Sequence, residues 1–336
     1  MTLLRKPLNI QVGLPKTGTT TLQRDVFPEF SGYVCGTESR GPSKERAESL
    51  HRLYQVKGGH RDWTSANWRE AAAEWSQTAS AVAPGPLLVS LEGLFRWFDP
   101  QSRQPWPLMG HGRKRKSSRV GRHPLVDFLA HFQDAAPNLQ IRVIFTIRNQ
   151  PDFMGSLYAQ LSYRMRSPSQ KDMERKVRHL ASRKDPFFDW NSTIRDIESV
   201  VGVENTKIVV FEDGLSRIGQ EIASFVDSAW TPSQNLDKRH NARSTSTDVW
   251  QLTTSRCGPI RKTLGGIGSG VALRDSRLIG DSLKVLRNKS GPSKGSAGVA
   301  SIRMTTELRS AIQHAFSEGN QVLAERLGRD LAVCGY

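Results

Sequence analysis

The chain is poor in cysteine, lacks any long apolar run, and is short of acidic residues. Its three cysteines, Cys35, Cys257 and Cys334, are too few and too scattered for a disulfide framework. None stands in a CxxC pair of the kind a metal would use. A reducing cytoplasm is therefore the expected compartment. No run of about 18 apolar residues occurs, and residues 1–30 show no signal-type apolar region, so neither a membrane span nor a secretion signal is expected. Asp and Glu number 32 against 48 Lys and Arg, a formal net charge of +16. Such an excess points to an anionic partner, whether nucleic acid, a membrane surface or an acidic molecule.

What is present reads as an α/β protein. Four apolar runs have the character of buried strands: 8-LNIQVGL-14, 86-PLLVSLE-92, 140-QIRVIFTIR-148 and 206-TKIVVFED-213. They do not alternate with polar residues, which suits a sheet covered on both faces. Helical patterns lie between and after them, at 18–30, 66–82, 124–135, 151–166, 171–183, 188–201, 216–228 and 305–327. Strands alternating with helices predict a central, mostly parallel sheet flanked by helices. Residues 1–336 are expected to form one domain, interrupted by basic insertions at about 99–123 and 255–300.

The first strand runs into 13-GLPKTGTTTL-22. A strand, a glycine turn and a helix start present backbone N–H groups to an anion. Gly13, Gly18 and Thr20 keep the spacing of a Walker A phosphate loop, but Thr19 occupies its lysine position and the lysine is Lys16, inside the turn. The run 15-PKTGTTTL-22 resembles the 5′-phosphosulfate loop of sulfotransferases that use 3′-phosphoadenosine 5′-phosphosulfate. In that family a Pro-Lys-x-Gly-Thr-Thr follows the first strand. The stretch 143-VIFTIRNQPDFMGSLYAQ-160 resembles the family's second motif, an Arg at a strand end and a Ser eight residues on, here Arg148 and Ser156. Arg supplies a planar donor fork that matches phosphate oxygens, and Pro151 is tolerated in the first turn of a helix. The segments 208-IVVFEDGL-215 and 318–336 are also similar to bacterial-type members.

The resemblance implies a P-loop NTPase-like sulfotransferase fold and sulfuryl transfer from that nucleotide, with no metal required. Lys16 would bridge the leaving oxygen, with Thr17, Gly18, Thr19, Thr20 and Thr21 around the 5′-phosphosulfate. Arg148 and Ser156 would hold the 3′-phosphate. The family's base is a His or Glu near the end of the second strand, which brings forward Glu92, with His60 in 56-VKGGHRDW-63 as its competitor. The other histidines, His51, His111, His123, His131, His179, His240 and His314, have no supporting context. The segment 258-GPIRKTLGG-266 is similar to a late Arg-Lys-Gly motif of the family, with Thr263 in place of the glycine.

The acceptor would be a hydroxyl ahead of an amine, on an anionic carbohydrate or other acidic small molecule. Nucleic acid is not expected, while a peripheral membrane contact through the basic run 111-HGRKRKSSRVGRH-123 stays open. The 265-GGIGSG-270 match to G-x-G-x-x-G follows no predicted strand and reads as a loop. Trp63, Trp68 and Trp75 read as core. Two other readings stand beside this one. The first is a magnesium-dependent P-loop kinase or NTPase, kept alive by the Gly13/Gly18 spacing. The second is a non-enzymatic module that binds nucleic acid or membrane through the basic stretches.

Overall fold

The computed structural model describes residues 5–12, 14, 16–35, 73, 77, 85–91, 124–162, 165, 167–233, 248–252 and 300–336. Glu92, His60, the 99–123 insertion, nearly all of 255–300 and most of the helix expected at 66–82 lie outside these residues.

Five strands form one all-parallel sheet: β1 (Lys6–Val12), β2 (Tyr33–Cys35), β3 (Leu87–Leu91), β4 (Leu139–Ile147) and β5 (Thr206–Val210). Their order is β2-β3-β1-β4-β5, so the first strand is central. The chain leaves β1 toward β2 and β3 on one side, and leaves β4 toward β5 on the other. The carboxyl ends of β1 and β4 therefore flank the point where the direction of winding reverses, which is where open parallel sheets bind ligands. Register sharpens this. Val12 ends β1 opposite Phe145, whereas β4 continues to Ile147.

The helices whose bounds fall within the described residues are α1 (Thr19–Thr21), α2 (Pro124–Ala135), α3 (Gln150–Leu161), α4 (Gln170–Ser182), α5 (Trp190–Val201), α6 (Leu215–Val226) and α7 (Thr306–Leu327). Side chains alternate across each strand. Leu8, Ile10, Val12, Leu87, Val89, Phe145, Ile147, Ile208 and Val210 join a core with α2, α3, α4, α5 and α7. Leu88, Ile144 and Val209 face a smaller core made by Leu22, Val26, Phe27 and α6. On that second face β1 and β3 carry polar residues. The Ser90 hydroxyl donates to Gln11 Oε1 at 2.5 Å, and Gln23 Nε2 donates to Ser90 Oγ at 3.0 Å.

The sequence expectation did not include β2, and three further elements differ from it. The helix expected at 18–30 is α1 followed by a π-turn at Leu22–Val26 and a 3₁₀ turn at Phe27–Glu29. Pro28 has no N–H to give to a preceding turn, so a regular α-helix cannot run through it. The fourth strand stops at Val210, because Phe211–Asp213 turns as 3₁₀. A small antiparallel pair, β6 (Val249–Gln251) with β7 (Ser301–Arg303), was not foreseen. It lays Trp250 against α3 at Gly155, where the nearest Trp250 ring carbon is 2.7 Å from where a Cβ would stand. Among the described residues no helix is long and apolar enough to cross a membrane.

Gly155→Ala should therefore destabilise the protein by about 1–2 kcal/mol, overpacking against a buried ring outweighing the gain in helix propensity. Thermal unfolding would show a lowered Tm, and a raised one would contradict this packing.

Candidate functional site

The site begins with backbone strain. Lys16 adopts φ 70°, a left-handed conformation in a residue with a full side chain, costing roughly 1–2 kcal/mol. Two residues on, Gly18 has φ 72°, and a Cβ there would stand 2.3 Å from Leu215 Cδ2 and 3.3 Å from Phe211. Glycine meets both demands, the left-handed turn and the close approach of the segment after β5. The Thr17 hydroxyl donates to the Leu14 carbonyl at 2.6 Å, and the Thr19 hydroxyl leans on the same oxygen at 3.5 Å. These two hydroxyls close the turn. Thr21 is buried, and its N–H donates to the Gly18 carbonyl. Lys16 and Thr20 are half-exposed.

Arg148 reaches this turn from the end of β4. Its Nη1 donates to the Lys16 carbonyl at 2.7 Å, so the residues of the two sequence motifs, 132 positions apart, meet directly. Its guanidinium lies 4.7 Å from the centre of the Phe211 ring, a cation–π distance. Its Nε is buried and finds no hydrogen-bond partner among the described residues. Burial lowers the Arg148 pKa, and the nearby Asp152, Glu212 and Tyr336 oppose that shift.

The backbone under Arg148 is fixed by distant side chains. Trp190 Nε1 donates to the Arg148 carbonyl at 2.9 Å. Asn149 caps α3 by accepting from the Asp152 N–H. Glu212 Oε1 accepts from the Asn149 N–H at 3.0 Å and from Asn149 Nδ2 at 2.9 Å, while Oε2 accepts from the Tyr336 hydroxyl at 2.9 Å. Burial raises the Glu212 carboxyl above its ordinary value, against the pull of these hydrogen bonds, and burial also drives the Tyr336 phenol well up. Ser156 lies two turns along α3 and is 3% exposed.

The turn at 211–215 is thus a third wall. Phe211 and Leu215 pack on Gly18, Glu212 grips Asn149, and Asp213 takes a fork–fork pair from Arg329 at 2.5 and 2.6 Å. Beyond α7, residues 329–336 lie along this wall, with Gln313 Nε2 donating to the Gly335 carbonyl at 3.0 Å.

The structure therefore joins Lys16, Gly18 and Arg148, and sets Thr17, Thr19 and Thr21 into the turn and the packing beneath it. Glu92 follows the last residue of β3 and, like His60, is outside the described residues. His179 and His314 are exposed on α4 and α7. Sequence reasoning misses Phe211, Glu212 and Tyr336, although they lie in 208-IVVFEDGL-215 and 318–336, two of the segments that carry the resemblance. No group of three or more His, Cys, Asp or Glu among the described residues could hold a metal ion.

The Arg329 pairing, first of its causes, holds the Asp213 carboxyl below its ordinary value. A depressed native pKa adds stability that is present above the unfolded value and lost as pH falls through the native one. Asp213→Asn should cost about 1–2 kcal/mol at pH 7, discounted for the partly exposed Arg329. The gap between wild-type and variant melting temperatures should narrow as pH falls below the unfolded value and close once it has passed the depressed native one. A gap of constant size would assign the loss to packing alone.

No protein-family model matches the chain, and no curated protein matches it. A solved structure described as a sulfotransferase from Alicyclobacillus acidocaldarius is similar at 12% identity and a TM-score of 0.48. The match covers 99% of this chain and 100% of that one.

Proposed function

We propose that the chain is a sulfotransferase. It would move a sulfuryl group from 3′-phosphoadenosine 5′-phosphosulfate to a hydroxyl of an acidic acceptor, a carbohydrate or another anionic small molecule. The observation that supports this most is the contact between Arg148 and the Lys16 carbonyl. It gathers the lysine of an unusual phosphate loop and a strand-end arginine at the winding reversal of a parallel sheet. The donor set fits a ligand with two anionic ends. Lys16 lies in the loop, Arg148 is backed by Phe211 with its buried Nε unpartnered among the described residues, and the nearby Glu212 carboxylate is already occupied.

When bound, the nucleotide would supply the sulfuryl group and leave as adenosine 3′,5′-bisphosphate. The chain's own work is positioning and charge, which supply most of the rate in the analogous phosphoryl transfers. Lys16 would set its ammonium at the departing oxygen. Thr20 and the backbone N–H groups of the turn would face the 5′-end. Arg148, with Ser156 from α3, would hold the 3′-phosphate. Glu92, ahead of His60, would take the proton of the attacking hydroxyl. The basic segments would raise the local concentration of donor and acceptor. Nucleic acid is not the partner this reading expects, and the cytoplasm is the compartment it expects.

Calorimetric titration of adenosine 3′,5′-bisphosphate, beside ATP with Mg²⁺, tests the reading. Binding of the bisphosphate without metal is expected. It should weaken about 10–100-fold in Arg148→Ala, the loss of a charge-assisted contact worth roughly 1.5–3 kcal/mol. Indifference to the bisphosphate with tight ATP binding would instead make the chain a nucleotide kinase or NTPase. Once an acceptor is in hand, Glu92→Gln should lower kcat by about 10²–10⁴ with bisphosphate affinity unchanged. The same loss in His60→Ala, and none in Glu92→Gln, would move the base to His60.

A further inference from the structure

Arg148 has a carboxylate for a neighbour, and a guanidinium beside a carboxylate ordinarily pairs with it. Here the Glu212 oxygens are engaged elsewhere. Oε1 accepts from both nitrogens of Asn149, and Oε2 accepts from the Tyr336 hydroxyl, contributed from 124 residues away. Tyr336 is 7% exposed, and residues 329–336 that carry it are tied to the same wall through Arg329–Asp213 and to α7 through Gln313–Gly335. Arg148 keeps a buried Nε without a partner among the described residues and spends Nη1 on the Lys16 carbonyl.

We propose that Tyr336 and Glu212 are positioning residues for Arg148. By engaging Oε2 of Glu212, the Tyr336 phenol would turn that oxygen away from Arg148 and keep the guanidinium for a phosphate monoester instead of losing it to its own neighbour. The pair would thereby set the preference for a nucleotide phosphorylated at its 3′-hydroxyl over one that is not. The inference rests on the donor site proposed above and adds to it the residues that fix its selectivity. Other charged groups around the cluster are already engaged. Asp152 is held by Arg309 at 2.7 Å and by Asn149 Nδ2 at 3.2 Å, and Asp213 by Arg329.

The test is the ratio of affinities for adenosine 3′,5′-bisphosphate and adenosine 5′-monophosphate, measured by calorimetry on the full chain. Tyr336→Phe frees Oε2 to turn to Arg148. The ratio should fall about tenfold, the equivalent of one charge-assisted hydrogen bond, with monophosphate binding nearly unchanged. The double variant Tyr336→Phe/Glu212→Gln removes the competing charge and should restore the ratio to within about threefold of wild type. A merely structural role for Tyr336 would weaken both nucleotides alike and would not be rescued, and either result overturns the inference. An unchanged ratio in Tyr336→Phe also overturns it, while the donor site stands if Arg148→Ala still loses the bisphosphate. Failure of the wild type to bind the bisphosphate removes the donor site itself, and the inference with it. Should Tyr336→Phe not fold, Glu212→Gln alone decides: bisphosphate affinity should hold or rise, and a tenfold fall is contrary.

Discussion

The hydrogen bond from Arg148 to the Lys16 carbonyl is the constraint on which the rest of the site depends. It joins the segments that follow two adjacent parallel strands, of which β4 outlasts β1. The extra residues, Thr146 and Ile147, carry the arginine up to the level of the loop. Lys16 would otherwise have little reason to stay left-handed, since such strain persists only where its surroundings over-determine it. The surroundings here are the guanidinium on its carbonyl, the Thr17 and Thr19 hydroxyls on Leu14, and the walls of Phe211 and Leu215 around Gly18. Strain, turn and arginine form one unit.

That unit holds a cation partly away from water, which is unfavourable unless the charge is answered. The answers present are partial: an aromatic face at 4.7 Å, one carbonyl, and the field of Glu212 and Asp152. Glu212 contributes its field, while its hydrogen-bonding oxygens serve Asn149 and Tyr336. Arg148 is thus stabilised enough to remain charged yet retains an unfilled Nε. Such an arrangement favours an incoming anion more than a solvated arginine would, because interactions are stronger at low local dielectric and the group is already oriented.

How much of this was legible in the sequence follows from the range of each interaction. The strands β1, β3, β4 and β5 stood out because a sheet covered on both faces makes nearly unbroken apolar runs. Their ends fell a few residues from the expected ones, where Leu14 joins the core without joining the strand and where the chain turns at Phe211. Strand β2 is only three residues long, and β6 and β7 pair across about fifty residues, so neither leaves a local signature. Lys16 and Arg148 could be read because each sits in a short motif tied to its own strand end. Glu212 and Tyr336 could not. Their chemistry exists only once α7 has laid residues 329–336 against the turn after β5.

The net charge completes the picture. Residues 99–123 hold seven Lys and Arg against one Asp, and residues 255–300 hold nine against two Asp, so these two stretches carry thirteen of the sixteen net positive charges. The rest of the chain therefore carries a net charge of only +3. Near the site, charge is instead placed in specific pairs: Arg329 with Asp213, and Arg309 with both Asp152 and Asp248. The sequence thus divides its charge between two strongly basic stretches and a nearly balanced remainder, which includes the residues that orient Arg148. The partly buried pairs near the site should persist as salt rises, because such pairs are screened much less than exposed charges are.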